Sequence, residues 1–422
     1  MSLFRCFVPL VAAGVLACRD GPTGVDPAAA RLGSNGSAAV ALSANEALGR
    51  LIFFDTRLSG GATPQSCAAC HDPNVGWTGP LAVINQHGGV YEGSVPGRFG
   101  NRKPPSAAYA TLSPIFHFET DRDGRLFEGG NFWDGRATGE VLGNPAADQA
   151  LGPFLNPVEQ AVPSPADVVR LICDGPYGSV FVAVWGANAC EPGNEATSYN
   201  RVGLALAAFE GSLEVNAFTS KFDAYRAHRV NLTPEEHLGL ALFIGKAKCN
   251  GCHVTRDERG ERALFTDFTF DNIGVPKNPE NPWYGMIAFN PQGANWRDPG
   301  LGGFLATRPE YQAFAPENMG KQKVPTLRNV DLRPWPGFVK DYTHNGYFKS
   351  LEGVVHFYNT RDVLATCPGD YTEAQALVAN CWPPPEITAN VNRTELGNLR
   401  LSAREEAAIV AFMRALSDGY QP

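Results

Sequence analysis

The chain has 422 residues, and its 35 Lys and Arg against 43 Asp and Glu give a net charge of −8. That sign argues against nucleic acid as a partner and leaves a basic protein partner open. With 45 glycines, 33 prolines and only 18% charged residues, the chain should be loop-rich, with short helices wrapped round cofactors, and its length allows two or three domains.

At the N-terminus a single basic residue, Arg5, precedes an apolar run through Phe7, Val8, Leu10, Val11 and Val15. Residues 1–18 therefore read as an export signal. Its end, Val15-Leu16-Ala17-Cys18, resembles a bacterial lipoprotein signal, in which an acylated Cys18 would attach the chain to a membrane. An ordinary signal cleaved nearby is the other reading. Residues 19–41 follow as a flexible Gly/Ala/Ser-rich tether. No later stretch is long and apolar enough to span a bilayer.

Leu48-Gly49-Arg50-Leu51-Ile52-Phe53-Phe54 predicts an amphipathic helix that delivers the chain to Cys67-Ala-Ala-Cys70-His71. Further on, Val202, Leu206, Phe209 and Leu213 share one helical face. A second unit starts near Val230, where Thr233 is an N-cap, Pro234 the first helical residue and Glu235 and Glu236 first-turn acids. The helix it opens contains Leu238-Gly239-Leu240-Ala241-Leu242-Phe243 and leads to Cys249-Asn-Gly-Cys252-His253, so the chain carries a rough internal duplication. Phe265 to Phe304 reads as a long ordered loop, and Ile409, Phe412, Met413 and Leu416 form a C-terminal helical stripe. No segment alternates for long as a strand.

Each C-x-x-C-H is a haem-attachment sequence in which two thiols bond the haem vinyls and the histidine ligates iron. The rival, a four-cysteine zinc site made of two C-x-x-C knuckles, leaves the histidine after each knuckle unexplained. Four of the ten cysteines bind haem on this reading and Cys6 and Cys18 lie in the signal. The remaining four are expected to pair as Cys173–Cys190 and Cys367–Cys381, each closing a short Pro/Gly-containing loop in an oxidising compartment. Four unpaired buried thiols are the alternative.

Phe132-Trp133-Asp134-Gly135-Arg136, Gln149-Ala150-Leu151-Gly152-Pro153, Asn156-Pro157-Val158-Glu159, Val324-Pro325-Thr326-Leu327-Arg328-Asn329-Val330 and His344-Asn345-Gly346 resemble the bacterial di-haem cytochrome c peroxidase and MauG superfamily, from about Ala47 to Leu416. The resemblance implies that Gln149 and Glu159 are the distal acid-base pair beside the peroxidatic haem, carried by the first motif. It implies that Trp133 relays electrons or holes between the haems and that Pro153 flanks the distal pocket. Asn101 would match an inter-haem calcium ligand, with backbone carbonyls near Val339 and Asp341 as its partners, although Asn101-Arg102-Lys103-Pro104-Pro105-Ser106 follows the family pattern only loosely. His87 stands where the peroxidases place a removable sixth ligand; the other reading is a loop histidine that never meets iron. Tyr358 occupies the position of the second-haem methionine of the peroxidases, as it does in MauG, with His356 and Met319 as competing ligands. A tyrosinate would stabilise oxidised iron and lower the reduction potential. His344 is expected to be structural and near the second haem, and His117, His228 and His237 carry no motif.

The resulting expectation is an all-α, loop-rich protein of two cytochrome c-like domains, residues 42–229 and 230–422, each binding one covalent c-type haem, exported to the periplasm. Its leading function is a MauG-like peroxidase that uses hydrogen peroxide to reach a high-valent state and oxidises a protein partner. The alternatives are a conventional cytochrome c peroxidase fed by a small cytochrome or copper protein, and a non-catalytic di-haem electron carrier. A distal acid-base pair argues against the carrier.

Overall fold

The computed structural model describes residues 41–120, 125–256 and 262–422. The expected signal, Cys18 and all but the last residue of the tether lie outside the described residues. The helices are α1 (Ala44–Phe53), α2 (Ala82–Gln86), α3 (Pro145–Leu155), α4 (Pro165–Cys173), α5 (Gly178–Trp185), α6 (Glu195–Glu210), α7 (Lys221–Arg226), α8 (Pro234–Ile244), α9 (Gly300–Leu305), α10 (Leu351–Thr360), α11 (Glu373–Ala379) and α12 (Ala403–Arg414). None of them is long and apolar enough to cross a membrane.

Local chemistry explains where these helices begin. Ser43 with Glu46, Thr233 with Glu236, and Ser402 with Glu405 form reciprocal capping boxes that satisfy the first free backbone N–H groups of α1, α8 and α12. Pro234 at the first position of α8 adds a preset φ, as the sequence predicts.

The internal duplication has a packing basis. α1 lies against α6 and α8 against α12, and each pair meets at a glycine. A Cβ on Gly49 would come 1.9 Å from the Ala205 carbonyl oxygen, and one on Gly239 would come 1.9 Å from that of Ala408. Four residues past each glycine, a phenylalanine joins an edge-to-face trio. Phe53, Trp77 and Phe209 have centroids 5.4–5.8 Å apart, while Phe243, Phe265 and Phe412 are 5.3–6.2 Å apart. One hydrophobic core grows round the first trio with Ile52, Phe154 and Phe181, and another round the second with Phe348, Phe357 and Leu416.

Three details depart from expectation. The fold is not purely helical, since among the described residues short strands form three two-stranded sheets. The longest is the antiparallel hairpin of β1 (His117–Thr120) and β2 (Arg125–Glu128); the others pair β3 (Phe270–Asp271) with β4 (Gln322–Lys323) and β5 (Ala365–Thr366) with β6 (Cys381–Trp382). These pairings are too short to show as periodicity. Leu213 falls off the α6 stripe because the helix stops at Glu210, which leaves Leu213 exposed. The stretch from Phe265 to Phe304 is irregular for most of its length but contributes β3 and the start of α9. Both expected disulfides, Cys173–Cys190 and Cys367–Cys381, are present.

In an open helix, Gly→Ala would stabilise by about 1 kcal/mol. At Gly49 or Gly239 the sign should reverse, with a loss of about 1–3 kcal/mol from overpacking. The check is a lowered thermal-unfolding midpoint for either variant of the haem-loaded protein.

Candidate active site

A single cavity of about 650 Å³ is lined by both C-x-x-C-H motifs. Each motif makes one short turn, Cys67–Ala69 or Cys249–Gly251, capped by the second cysteine and followed by the histidine. His71 Nδ1 donates to the Trp77 carbonyl at 3.2 Å, and His253 Nδ1 donates to that of Phe265 at 2.9 Å. Those carbonyls are aimed by left-handed residues, Trp77 at φ 60° and Phe265 at φ 54°. A hydroxyl locks each turn: Ser106 Oγ bonds the Gly76 carbonyl at 2.8 Å and Thr326 Oγ1 that of Leu264 at 2.6 Å. The same device thus occurs in both halves.

Burial pushes His71 down to about 4 and lowers His253 as well, so both rings are neutral at pH 7. With Nδ1 as the donor, Nε2 carries the lone pair that a metal requires. Cys67, Cys70, Cys249 and Cys252 are free thiols at the cavity wall, whereas the other described cysteines are disulfide-bonded. Paired free thiols, a neutral imidazole beside each pair and a large shared cavity fit two haems.

On the first side, α3 carries Gln149 and Pro153 four residues apart on the cavity face, and the turn beyond its C-cap, Asn156, brings Glu159 to the same wall. Phe132, Trp133 and Arg136 complete it, with the Arg136 guanidinium 3.7 Å from the centre of the Phe132 ring. Burial raises the Glu159 carboxyl above its usual range, while Arg136 and a hydrogen bond from Asn156 oppose that shift. Gln149, Glu159, Pro153 and Trp133 therefore converge on one wall. His87 does not: it is exposed and its Nδ1 lies 3.2 Å from Glu280 Oε1.

On the second side, α10 presents Leu351, Val354, Val355 and Tyr358 to the cavity at helical spacing. His356 lies off that stripe, with its Nδ1 3.1 Å from Glu406 Oε1, and Met319 is not part of the wall. Of the three competing side chains, only Tyr358 lines the cavity. Burial raises its phenol, so an anionic ring there needs a cation beside it.

Between the two sides lies a buried charge network that pattern reading missed. Arg102 forks onto Asp298 with two 2.6 Å contacts and reaches Asp134 at 2.6 Å. Asp298 N donates to Glu386, whose other oxygen is 3.2 Å from His344 Nε2, and His344 also lines the cavity. The Trp133 indole N–H donates to the Lys103 carbonyl at 2.9 Å and its ring lies edge-on to His344 at 6.4 Å. The basic residues of Arg102-Lys103 were the available signal, but nothing local shows that they are buried. Away from the cavity, His117 stands on the β1–β2 hairpin, 3.1 Å from Glu119.

The residues do not fit the calcium implied by resemblance. The Asn101 carbonyl accepts from Asn281 Nδ2 at 3.0 Å, the Val339 carbonyl from Asn85 Nδ2 at 3.1 Å, and the ammonium groups of Lys103 and Lys340 are buried alongside.

Comparison with known proteins agrees with this architecture. Residues 43–231 match the di-haem cytochrome c peroxidase family. The chain is 34% identical over 386 residues to the methylamine utilization protein MauG of Paracoccus denitrificans, an alignment spanning 89% of each protein. The chain belongs to the di-haem cytochrome c peroxidase and MauG family. It is 28% identical to the cytochrome-c peroxidase IdrP2 of a Pseudomonas species over 79% of this chain and 78% of that one. The crystal structure of the di-haem peroxidase BthA from Burkholderia thailandensis superposes with a TM-score of 0.69 at 30% identity, covering 89% of this chain and 86% of that one. As a member of this family the chain has the di-haem peroxidase fold, acts on peroxide and takes two haems.

Replacing Arg102 by Ala should cost about 3–5 kcal/mol, because the buried Asp298 carboxylate loses its bidentate partner while Asp134 keeps only Arg136. Asp134 and Asp298 are held below the usual carboxylate range, so their contribution is complete above the unfolded pKa of about 3.9 and is lost as pH falls below it. The Arg102→Ala protein should therefore lose less stability below about pH 4 than the parent does, as acid-unfolding curves would show.

Proposed function

We propose that this peroxidase is of the MauG type, spending the oxidising power of hydrogen peroxide on a protein partner. The observation that supports the reading is Tyr358 on the second cavity wall together with a His87 that is exposed beside Glu280 and absent from the first wall. The chain would hold the haems through Cys67, Cys70 and His71 in residues 42–229 and through Cys249, Cys252, His253 and Tyr358 in residues 230–422. The haems, when bound, supply the iron that accepts and donates electrons. Covalent attachment and the two disulfides suit export to an oxidising periplasm.

The chain's own part begins with peroxide on the first side. Glu159, as carboxylate, removes the proton from the inner peroxide oxygen and returns it to the outer one, so that the outer oxygen leaves as water. Gln149 orients the peroxide through its amide, and the apolar wall keeps bulk water from competing. Trp133, whose indole N–H is anchored to Lys103 between the two sides, serves as the redox relay.

One equivalent of hydrogen peroxide added to the diferric protein should produce a near-infrared charge-resonance band, as MauG-like proteins do. If nothing changes until the protein is half-reduced, the conventional cytochrome c peroxidase is correct and the MauG-type reading fails. Replacing Glu159 by Gln should slow the peroxide reaction by roughly 10²–10⁴-fold. Because burial raises Glu159, the parent's rate should fall on acidification at a higher pH than an ordinary glutamate would give, and stopped-flow rates against pH should show that limb vanish in the variant.

A further inference from the structure

Lys103 is 7% exposed and is a junction of three connections. Its backbone N–H donates to the His344 carbonyl at 2.8 Å, its carbonyl accepts the Trp133 indole N–H, and its ammonium reaches Thr78 Oγ1 at 2.9 Å and the Pro104 carbonyl at 3.1 Å. The nearest counter-charge is Asp341, with Oδ1 3.8 Å from Nζ. Asp341 is 3% exposed, and its other oxygen has no hydrogen-bond partner. That oxygen packs against Gly89 and Gly346, where an added Cβ would approach it to 2.2 and 2.6 Å, so no ion fits on that side. Lys340, 4% exposed, donates to the carbonyls of Val75, Asn329 and Leu332 at 2.8–3.0 Å. The Asn101 and Val339 carbonyls near the place named for calcium each accept an amide donor, and the buried carboxylate there faces the buried Lys103.

We infer that the place between the two haem pockets for which the resemblance implies calcium is filled here by the Lys103 ammonium with Asp341 as counter-ion, and that Lys103 is a positioning residue for Trp133. A divalent ion added beside Asp341 would meet the Lys103 ammonium, 3.8 Å from that carboxylate, in a low-dielectric interior. The Lys103–Asp341 pair needs no exchangeable ion, and its main chain fixes the indole from the same residue. This assignment is independent of which molecule the enzyme oxidises, because its first readout is metal content.

The test uses the full-length, haem-loaded protein. Elemental analysis after desalting from calcium-containing buffer should find calcium far below one per chain, and a calcium chelator should leave the visible spectrum and the peroxide reaction unchanged. One tightly held calcium per chain, or a spectrum that changes on chelation and recovers with calcium, overturns the inference without any variant. Lys103→Met and Asp341→Asn then separate charge from mere packing. Removing the ammonium should lower the haem reduction potentials and removing the carboxylate should raise them, because a buried positive charge favours the electron-rich ferrous state. Shifts in one direction for both variants, or no shift with two haems retained, would overturn the electrostatic role.

Discussion

Arg102 is the interaction on which the arrangement of the two pockets depends. Its guanidinium is bidentate to Asp298 and reaches Asp134, which ties the segment after the first motif to the Trp133 turn and to the loop preceding α9. Buried ion pairs are poor sources of net stability, because desolvation offsets most of the Coulombic gain, but they penalise misplacement heavily. Here that penalty falls on the strip of chain between the two walls. Beside this network Trp133 lies 6.4 Å from His344, and both rings line the cavity.

The two halves show how far one scaffold can be reused. Helix crossing at glycine, an edge-to-face aromatic trio, a left-handed aromatic aiming its carbonyl at an imidazole, and a hydroxyl locking the turn all occur twice. Tyr109 and Asn329, both left-handed, each stand three residues beyond that hydroxyl. Non-glycine residues in this region cost of order 1–3 kcal/mol each, so a repeated set requires surrounding contacts that hold it. Above this shared frame the halves diverge: one wall receives an amide and a carboxylate from α3 and its following turn, the other a phenol from α10. A shared frame thus carries two chemically different walls on one cavity.

Much of this was legible in the amino-acid order because the chemistry is local. C-x-x-C-H spacing, the Thr233-Pro234 helix start and the two disulfide loops each lie within a short span, and a short span cannot be rearranged by distant contacts. The stripe on α6 was legible except at its end, where Gly211 follows the last helical turn and Leu213 is turned out to solvent. The three small sheets were not legible, since a pairing such as Phe270 with Lys323 joins residues far apart in the chain through strands too short to alternate.

The sequence by itself determined the two attachment motifs, the helices that lead into them and the ordered run of family motifs, because each depends on neighbouring residues and on backbone geometry. Only the tertiary structure decided that His87 faces Glu280, that Tyr358 rather than His356 or Met319 reaches the cavity, and that Lys103, Lys340 and Asp341 are buried together. Those outcomes turn on which side of an element faces the interior and which distant charge meets it there. Desolvation and long-range packing settle both, and neither is written in the spacing of residues along the chain.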